Sequence, residues 1–318
     1  MYFTKNKGGY LGHHCWLPLN HKWRKDVKSF DNMKEKGMAQ HLWLRMKYWP
    51  TIANSPKTNL VSFTSNKRKR DASNSLHDWH KRNIFFELPY WRKLKIQHNL
   101  DVMHIETNVS ENILGTSLNI KGKTKDTIRA WIDLMNIGIR KELHPTVDGD
   151  KVEIPIAYYI LNSDTMATLY KMFEELISLD GYLSNISRSV KDNGKKISCL
   201  KSHDHHVFIQ QLLPFAVRGL LLKNVYEPLI KLSMFFQNLW AKKITQEELD
   251  ILERQISYTL CKLKMVFSHA FFNIMVHLVI HFAAEVKNYR FCTISMDVPN
   301  REVRYLSFWV FFQSLGVY

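Results

Sequence analysis

Two stretches of the sequence contain side chains whose types and spacing could support chemistry. In the first, Phe85–Gly115, Asp101 and His104 stand three residues apart, and Glu106 follows two residues later. Such carboxylates could line the edge of a site for divalent metal ions, which activate water for attack on phosphate. The alternative is a helix start, because an aspartate is favoured at the positive N-terminal end of the helix dipole.

The second stretch, Lys201–Pro214, is rich in histidine and suggests a candidate metal site. Its residues could combine with a histidine-rich segment near the other end of the chain, giving the candidate ligands His203, Asp204, His277, His281 and Glu285. Two histidines at positions i and i+4 lie on one helix face and can chelate one ion, with further ligands brought from elsewhere. The alternative is a set of buried histidines and acids that pair with one another and with the backbone across helices.

The net charge of +16 is the most unusual bulk property of the 318 residues. Excess Lys and Arg favour polyanionic partners, because each contact with a phosphate releases condensed counterions. A basic run in the polar stretch 51–83 is consistent with nuclear import or phosphate binding, and it consists of Lys67, Arg68, Lys69 and Arg70. A solvated charge run is the alternative interpretation. We expect DNA as the partner and a nuclear location.

Three classes of protein are disfavoured by the sequence. The four cysteines form no CxxC pair, so neither a zinc ribbon nor a disulfide framework is indicated. Met265–Ala284 is apolar and about long enough to cross a bilayer, but polar residues recur along it at four-residue intervals. That spacing is typical of a buried helix with one polar edge, so we expect no membrane association.

The hydrophobic pattern predicts a mainly α fold. Apolar residues recur at helical spacing after Phe85, and the C-terminal half, from about Asp164 to Lys287, is predicted to form a helical bundle. Val152–Leu161 is the best candidate for a strand. Convincing alternation of apolar and polar residues is otherwise scarce.

Helix boundaries can be predicted from capping residues. A helix is expected to begin near Asp101, and Thr124 and Ser163 are predicted caps of the next two helices. Thr245 opens a Thr-x-x-Glu capping box, in which each end side chain accepts from the other residue's backbone N–H. Pro214 is expected to kink or end the helix that precedes it, because proline lacks a backbone N–H.

The two stretches resemble the C-terminal part of plant CACTA-type (En/Spm-like) transposases, together with the helical domain of unknown function that follows their nuclease core. The resemblance rests on strings that occur in the family's order along most of the chain. They are LPLNHKWR (17–24), FFELPYW (85–91), HNLDVMHIE (98–106), GIRKELHP (138–145), KSHDHHV (201–207) and FFNIMVHLVIH (271–281). Several uncommon strings in the right order are more specific than any one of them.

The resemblance implies a DDE-type nuclease as the parent, built on an RNase H-like core. In such an enzyme three carboxylates hold two divalent metals, expected to be Mg²⁺, for DNA cleavage and strand transfer. The resemblance places Asp101, His104 and Glu106 near that catalytic site, and two aspartate-bearing strands upstream of the first matching string. We therefore expect an inactive, truncated fragment that is not an enzyme and has no cofactor of its own.

The same resemblance sets the expected organisation of the chain. A remnant of the transposase core (1–50) is followed by a basic linker (51–83), a post-catalytic segment (84–162), the helical domain of unknown function (163–290) and an aberrant tail (291–318). In the tail the family pattern is lost, which a shift of reading frame would explain. Asn273 also stands where the family has an acid.

Three hypotheses about function follow. The first is an inactive transposon-derived transposase fragment, whose partners are DNA at transposon ends and other transposase subunits. The second is a non-enzymatic basic helical module that binds nucleic acid or a transposase partner. The third is a helical metalloprotein that uses the histidine-rich segments. Salt-sensitive DNA binding by the folded monomer would favour the second hypothesis, and stoichiometric metal in the purified protein would favour the third.

Overall fold

The structure is mainly helical, in agreement with the helical periodicity of the sequence. The computed structural model describes residues 2–4, 7–10, 12–37, 39, 88, 100–148, 151–175, 186–191, 196–197, 200–241 and 243–287. Apart from residue 88, these residues belong to one of the two units into which the chain divides. For this part of the chain the predicted mainly α class is confirmed.

The elements follow one another in a simple order. The helices are α1 (Val102–Ser117), α2 (Ile128–Ile137), α3 (Ser163–Glu175), α4 (Ile186–Ser189), α5 (Ser202–Val207), α6 (Leu213–Arg218), α7 (Lys223–Leu239), α8 (Gln246–Val266) and α9 (Ile274–Leu278). Antiparallel hairpins pair β1 (Tyr2–Thr4) with β2 (Lys7–Gly9), β3 (Thr146–Asp148) with β4 (Lys151–Glu153), and β5 (Val190–Lys191) with β6 (Lys196–Ile197). Single 3-10 turns cover His13–Trp16, Lys22–Arg24, Lys141–Leu143, His269–Phe271 and Val279–His281.

The described part of residues 1–50 consists of the β1–β2 hairpin, with strands of three residues each, two 3-10 turns and loops. An RNase H-like core is not shown there, so the assignment of this segment as an irregular remnant of one stays a prediction. Its loop is held by the buried Arg24, whose guanidinium donates to the backbone carbonyls of Cys15 and Leu17 at 2.7 and 3.1 Å. Phe30 is fully buried against α8, so this segment contributes to the core.

Two predicted helix starts are confirmed. The carboxylate of Asp101 accepts from the third residue of α1, at a distance of 2.9 Å to the backbone nitrogen. At the start of α8, Thr245 and Glu248 form both bonds of the capping box, with distances of 3.2 and 2.6 Å. Such caps satisfy backbone N–H groups that have no partner within the helix.

Two other predicted caps are wrong by a few residues. The hydroxyl of Thr124 accepts from the backbone of Asp126 within the loop, and Thr127 caps α2 instead. Ser163 is the first residue of α3, and Asn162 before it accepts from the third residue of that helix at 2.9 Å. In both cases a second capping residue stands nearby, and the tertiary position of the helix decides between them.

The predicted strand over Val152–Leu161 forms only at its beginning. Strand β4 ends at Glu153, where Val152 is opposite Val147 of β3. Pro155 follows, and a proline cannot donate a hydrogen bond to a neighbouring strand. Residues 154–161 therefore continue as irregular chain and turn.

Pro214 was predicted to kink or to end the helix before it; the helix does not end there, but its regular α geometry is interrupted. Helix α5 passes through a π-helical turn, Phe208–Leu212, into α6, in which Pro214 occupies the first turn. A proline cannot donate to the carbonyl four residues earlier, which here belongs to Gln210. That carbonyl instead accepts hydrogen bonds from the hydroxyl of Ser233, at 3.1 Å, and from the side-chain amide of Gln237. Both donors lie on α7, so the local irregularity connects two helices.

Met265–Ala284 is not the continuous helix that its polar stripe suggests. It is divided into the end of α8, two 3-10 turns and α9, and residues 282–287 are helical again. Asn273 caps α9 by accepting from the backbone of Val276 at 3.1 Å, a role that an aspartate could fill equally. Among the residues described, none of the helices is long and apolar enough to cross a membrane.

Candidate functional site

Asp101 and His104 lie at the start of helix α1, near the protein surface. Asp101 is its N-cap, as described above, and His104 is exposed. The side-chain amide of Asn108 donates to the backbone carbonyl of His104 at 2.9 Å and lies 3.3 Å from its ring Nε2. The helix-start interpretation therefore accounts for the contacts of both residues.

Glu106, by contrast, is completely buried, with 0% of its surface exposed. Its Oε2 accepts from Nδ1 of His206 at 2.5 Å. Its Oε1 accepts from the amide of Gln210 at 2.8 Å and from the indole N–H of Trp240 at 3.0 Å. Removing a carboxylate from water is costly unless donors of this kind replace the lost hydration. Both oxygens of Glu106 are therefore engaged within the protein.

This network joins the two stretches singled out in the sequence. Glu106 belongs to Phe85–Gly115, and two of its three donors belong to Lys201–Pro214. A second contact lies alongside, where the buried His205 and Ser110 share a hydrogen bond of 2.8 Å. The two stretches are thus parts of one packed interface between α1 and α5.

The remaining candidate residues of α5 serve the start of that helix or its surface. The carboxylate of Asp204 accepts from the backbone N–H of Lys201 at 2.9 Å, which satisfies a donor at the start of α5. His203 is exposed, and its ring lies nearly parallel to that of His206 at 6.3 Å. Neither residue contributes a contact to Glu106 among the hydrogen bonds of the described residues.

His206 is the member of the network that reaches solvent, with a side chain 21% exposed. A carboxylate can only accept, so Nδ1 of His206 carries the proton, and Nε2 is the remaining nitrogen. The ring of Trp240 lies edge-on to the imidazole at 5.1 Å and restricts its rotation. The network therefore offers one oriented imidazole, whereas a two-metal nuclease needs several carboxylates open to metal and phosphate.

His277 and His281 lie in an aromatic cluster formed with the N-terminal segment. His277 stacks on Tyr10 at 4.3 Å, and its Nδ1 lies 3.4 Å from Nε2 of the buried His13. The ring of His281 is perpendicular to that of His277 at 5.2 Å and edge-on to Trp16 at 5.1 Å. The predicted pairing of buried histidines across elements describes this cluster well.

The structure does not bring the five predicted metal ligands together. Glu285 accepts a long hydrogen bond of 3.4 Å from the backbone N–H of Leu100. The contacts of the other four candidates, His203, Asp204, His277 and His281, are those described above. Within the described ranges, no group of three or more His, Cys, Asp or Glu side chains is placed to hold a metal ion. His277 and His281 do lie together, with ring centroids 5.2 Å apart, whereas Asp204 and His203 make their contacts within α5.

Burial sets the protonation of the acidic and imidazole groups near this cluster. It lowers the pKa of His13 well below 6.5 and the pKa of His277 to about 4. It raises the pKa of Glu285 to about 7, because the carboxylate loses water and, among the described residues, gains one hydrogen bond, from the backbone of Leu100. At neutral pH the histidines are therefore uncharged, as expected for rings packed against each other.

A buried positive charge lies nearby on α8. Lys264 is 0% exposed, with Asp31 3.7 Å from its ammonium group and the ring of Phe30 below it at 5.1 Å. Burial lowers the pKa of Lys264 to about 8, and Asp31 opposes that shift. The ion pair links the N-terminal segment to α8, and the positive charge also disfavours protonation of neighbouring histidines.

Sequence reasoning missed two members of the Glu106 network, Gln210 and Trp240. A signal for Gln210 was present, because Pro214 four residues later leaves its carbonyl without the usual helical donor. Nothing local marks Trp240, which is 134 residues from Glu106 in the chain. The predicted basic run, Lys67–Arg70, and the predicted tail, 291–318, lie outside the described residues.

A comparison with protein families gives one match. Residues 239–311 match the family model described as a domain of unknown function, DUF4218. The match covers less than a quarter of the chain, starting at the end of α7 and running past residue 291, where the predicted tail begins. Neither the curated proteins nor the solved structures contain a significant match. The matched residues thus resemble a domain of this family, and they include all of α8 and α9.

Proposed function

We propose that this chain is a helical module of a transposon-derived protein, which binds nucleic acid and has no nuclease activity of its own. The observation that carries the proposal is the position of Glu106, the most buried of the candidate catalytic residues. Both of its oxygens accept hydrogen bonds from protein donors. A metal ion or a phosphate would have to displace those donors from a closed interface between helices.

The transposon origin is supported by two similarities, which overlap at residues 271–281. The strings quoted above follow the order of the CACTA-type family, which carries a helical domain of unknown function after its nuclease core. The family model that matches residues 239–311 is also a domain of unknown function. The proposed module therefore corresponds to the part of such a transposase that follows the catalytic centre.

Nucleic-acid binding is supported by exposed positive charge on the surface of the protein. The chain has a net charge of +16, and the loop 22–36 contributes a group of exposed lysines: Lys22, Lys25, Lys28, Lys34 and Lys36. In the described part of the chain these lysines take part in none of the ion pairs. The loop is nevertheless well anchored, because Arg24 and Phe30 are buried beneath it. An anchored loop with exposed ammonium groups suits contact with a phosphate backbone.

Binding is expected to weaken steeply with salt, by orders of magnitude between low and physiological concentration if several phosphates are contacted. Replacing Lys22, Lys25 and Lys28 by glutamine should weaken binding to duplex DNA and lower the salt slope by about 3. The matched control replaces three exposed lysines on other elements, Lys121, Lys141 and Lys171, and changes the net charge equally. Fluorescence anisotropy across a salt series measures both quantities.

Two results would count against the proposal. One is an affinity that does not change with salt, and the other is an equal effect of the loop variant and its control. A variant with Lys67, Arg68, Lys69 and Arg70 replaced by glutamine separates binding from targeting, since we also propose that the protein is nuclear. This variant should lose nuclear accumulation of a fluorescent fusion, which is a readout independent of DNA affinity.

A further inference from the structure

A groove of ≈ 430 Å³ lies between α7 and α8, the two longest helices of the described structure. Its lining is Lys231, Met234, Phe235, Asn238, Gln255, Ile256, Tyr258, Thr259 and Lys262. We infer that this groove holds one nucleotide unit of a single-stranded nucleic acid. The inference rests on the proposed function and names the site at which a strand would bind. Its volume is in the range of about 300–1,000 Å³ that is usual for small-ligand sites.

One end of the groove is positively charged. The ammonium groups of Lys231 and Lys262 lie 3.2 and 3.0 Å from the same carboxylate oxygen of Glu227. Glu227 thereby holds the two lysines side by side, one from each helix. Each ammonium has three donors and uses one on Glu227, so further donors remain for a second acceptor. The two lysines and Glu227 together carry a net charge of about +1. A bridging phosphate, with one negative charge, would neutralise this end of the groove.

The middle of the groove presents an aromatic ring. Tyr258 is partly exposed in the groove, and the ring of His21 lies edge-on to it at 5.2 Å. Trp23 lies edge-on to the same ring at 6.0 Å, so Tyr258 is supported by the N-terminal segment. The floor consists of the buried Phe235 and Ile256. A supported ring above an apolar floor is suited to stacking against a base, whose faces are apolar in every nucleotide.

The other end of the groove carries amides. The two helices are antiparallel, because Glu227 near the start of α7 meets Lys262 near the end of α8. Asn238 and Gln255 therefore face each other seven residues from the lysine end, about 10 Å away at 1.5 Å per residue. A phosphate at the lysines would place its base over Tyr258 and the edge of that base toward the amides. Amide side chains can both donate to and accept from base edges.

A single strand fits this arrangement better than a duplex. Stacking on a protein ring requires a base whose face is free, and in a duplex both faces are covered by neighbouring base pairs. Basic residues also lie beside the groove, because the exposed Lys22 and Lys25 adjoin His21 and Trp23, whose rings contact Tyr258. Adjacent phosphates of a strand would meet Lys22 and Lys25 there. This arrangement favours a strand over a free nucleotide.

The test compares binding of a labelled oligothymidine with binding of a duplex of equal length. Replacing Lys231 and Lys262 by glutamine should lower the salt slope for the strand by about 0.7, the value for one phosphate contact on a single strand. Tyr258→Leu should weaken strand binding roughly tenfold, whereas Tyr258→Phe keeps the ring and should bind like the parent. The matched control is the pair Lys141→Gln and Lys171→Gln, which should have no effect beyond net charge.

Two further arms make the outcome decisive. Photo-crosslinking of the unaltered protein to a strand containing bromouridine should label the α8 peptide that contains Tyr258, and this arm does not depend on the folding of a variant. Thymidine monophosphate should compete poorly with the strand; competition at equal nucleotide concentration would assign the groove to free nucleotides and overturn the inference. A protein that binds the strand, but equally well in the groove variants and the control, would also overturn it and leave the proposed function intact. A protein that binds neither strand nor duplex would overturn both.

Discussion

Replacing Glu106 by alanine is expected to lower the melting temperature by about 10 °C. The change removes the common acceptor of His206, Gln210 and Trp240 and leaves buried donors without a partner. Each buried donor that loses its partner costs about 1–3 kcal/mol, so the whole change costs several kcal/mol. Each kcal/mol corresponds to about 2–4 °C for a protein of this size. Thermal unfolding followed by circular dichroism measures the shift.

The same helix offers a matched control for this prediction. Glu111 is half-exposed and its carboxylate is 3.4 Å from the exposed ammonium of Lys123, so Glu111→Ala should shift the melting temperature little. Glu106→Gln keeps the shape of the side chain and should have an intermediate effect, because one carboxylate oxygen becomes a donor facing other donors. Equal shifts for Glu106→Ala and Glu111→Ala would contradict the structural role of Glu106.

Acid is expected to unfold the protein at a pH where most folded proteins are stable. Burial lowers the pKa of His14 to about 4 and of His269 to about 3, and Lys264 acts in the same direction on both. His277 is lowered to about 4 by burial and by His281, and His13 is lowered as well. Taken together, these pKa shifts correspond to on the order of 10 kcal/mol of stability that depends on pH.

The sign follows from proton uptake. Each histidine takes up a proton in the unfolded chain near pH 6.5 but in the folded protein only near pH 3–4, so its contribution is complete above 6.5 and is lost as the pH falls toward the folded pKa. Glu285 acts oppositely. Its pKa, raised to about 7, makes its contribution greatest below 4.5 and diminishing as the pH rises through 7. Because several histidines oppose one carboxyl group, the net result is loss of stability in acid.

Urea unfolding at pH 7 and pH 5 should show this loss as a lower midpoint at pH 5, which lies between the folded and unfolded pKa values of His269. In the parent protein, Nε2 of His269 lies 3.2 Å from the backbone carbonyl oxygen of Phe30. A glutamine at this position stays uncharged in acid and can donate to the same carbonyl, so the His269→Gln variant should lose less stability between pH 7 and pH 5 than the parent does. His203 is exposed, and His203→Gln should behave like the parent. A midpoint that is the same at both pH values would show that the buried histidines do not control stability.

Local signals in the sequence predicted much of the fold. The starts of α1 and α8 were predicted because Asp101 and Thr245 bond to backbone groups three residues away, an interaction contained within one turn. The mainly α class followed from periodicity, which also acts over short distances. The same local reasoning was wrong over Met265–Ala284. There the i, i+4 stripe suggested one long helix, while packing divides the segment into short turns.

The candidate site could not be predicted in the same way, because its contacts join distant parts of the chain. Glu106 and His206 are 100 residues apart, and His13 and His277 are 264 apart. A sequence gives the residue types but not which of them meet in the fold. The resemblance identified both stretches that form the Glu106 network, yet it suggested a catalytic role for a carboxylate whose contacts bind helices together.

The most direct test of the account is one gel that reads binding and cutting together. Supercoiled plasmid is incubated with the purified protein and Mg²⁺ or Mn²⁺, one half is run directly, and the other half is run after the protein is removed. We expect retarded plasmid in the first half and intact supercoiled plasmid in the second, since we propose that the module binds DNA, and Glu106 is engaged by protein donors. Nicked or linear plasmid that requires the metal, and that disappears with a folded Glu106→Gln variant, would contradict the account.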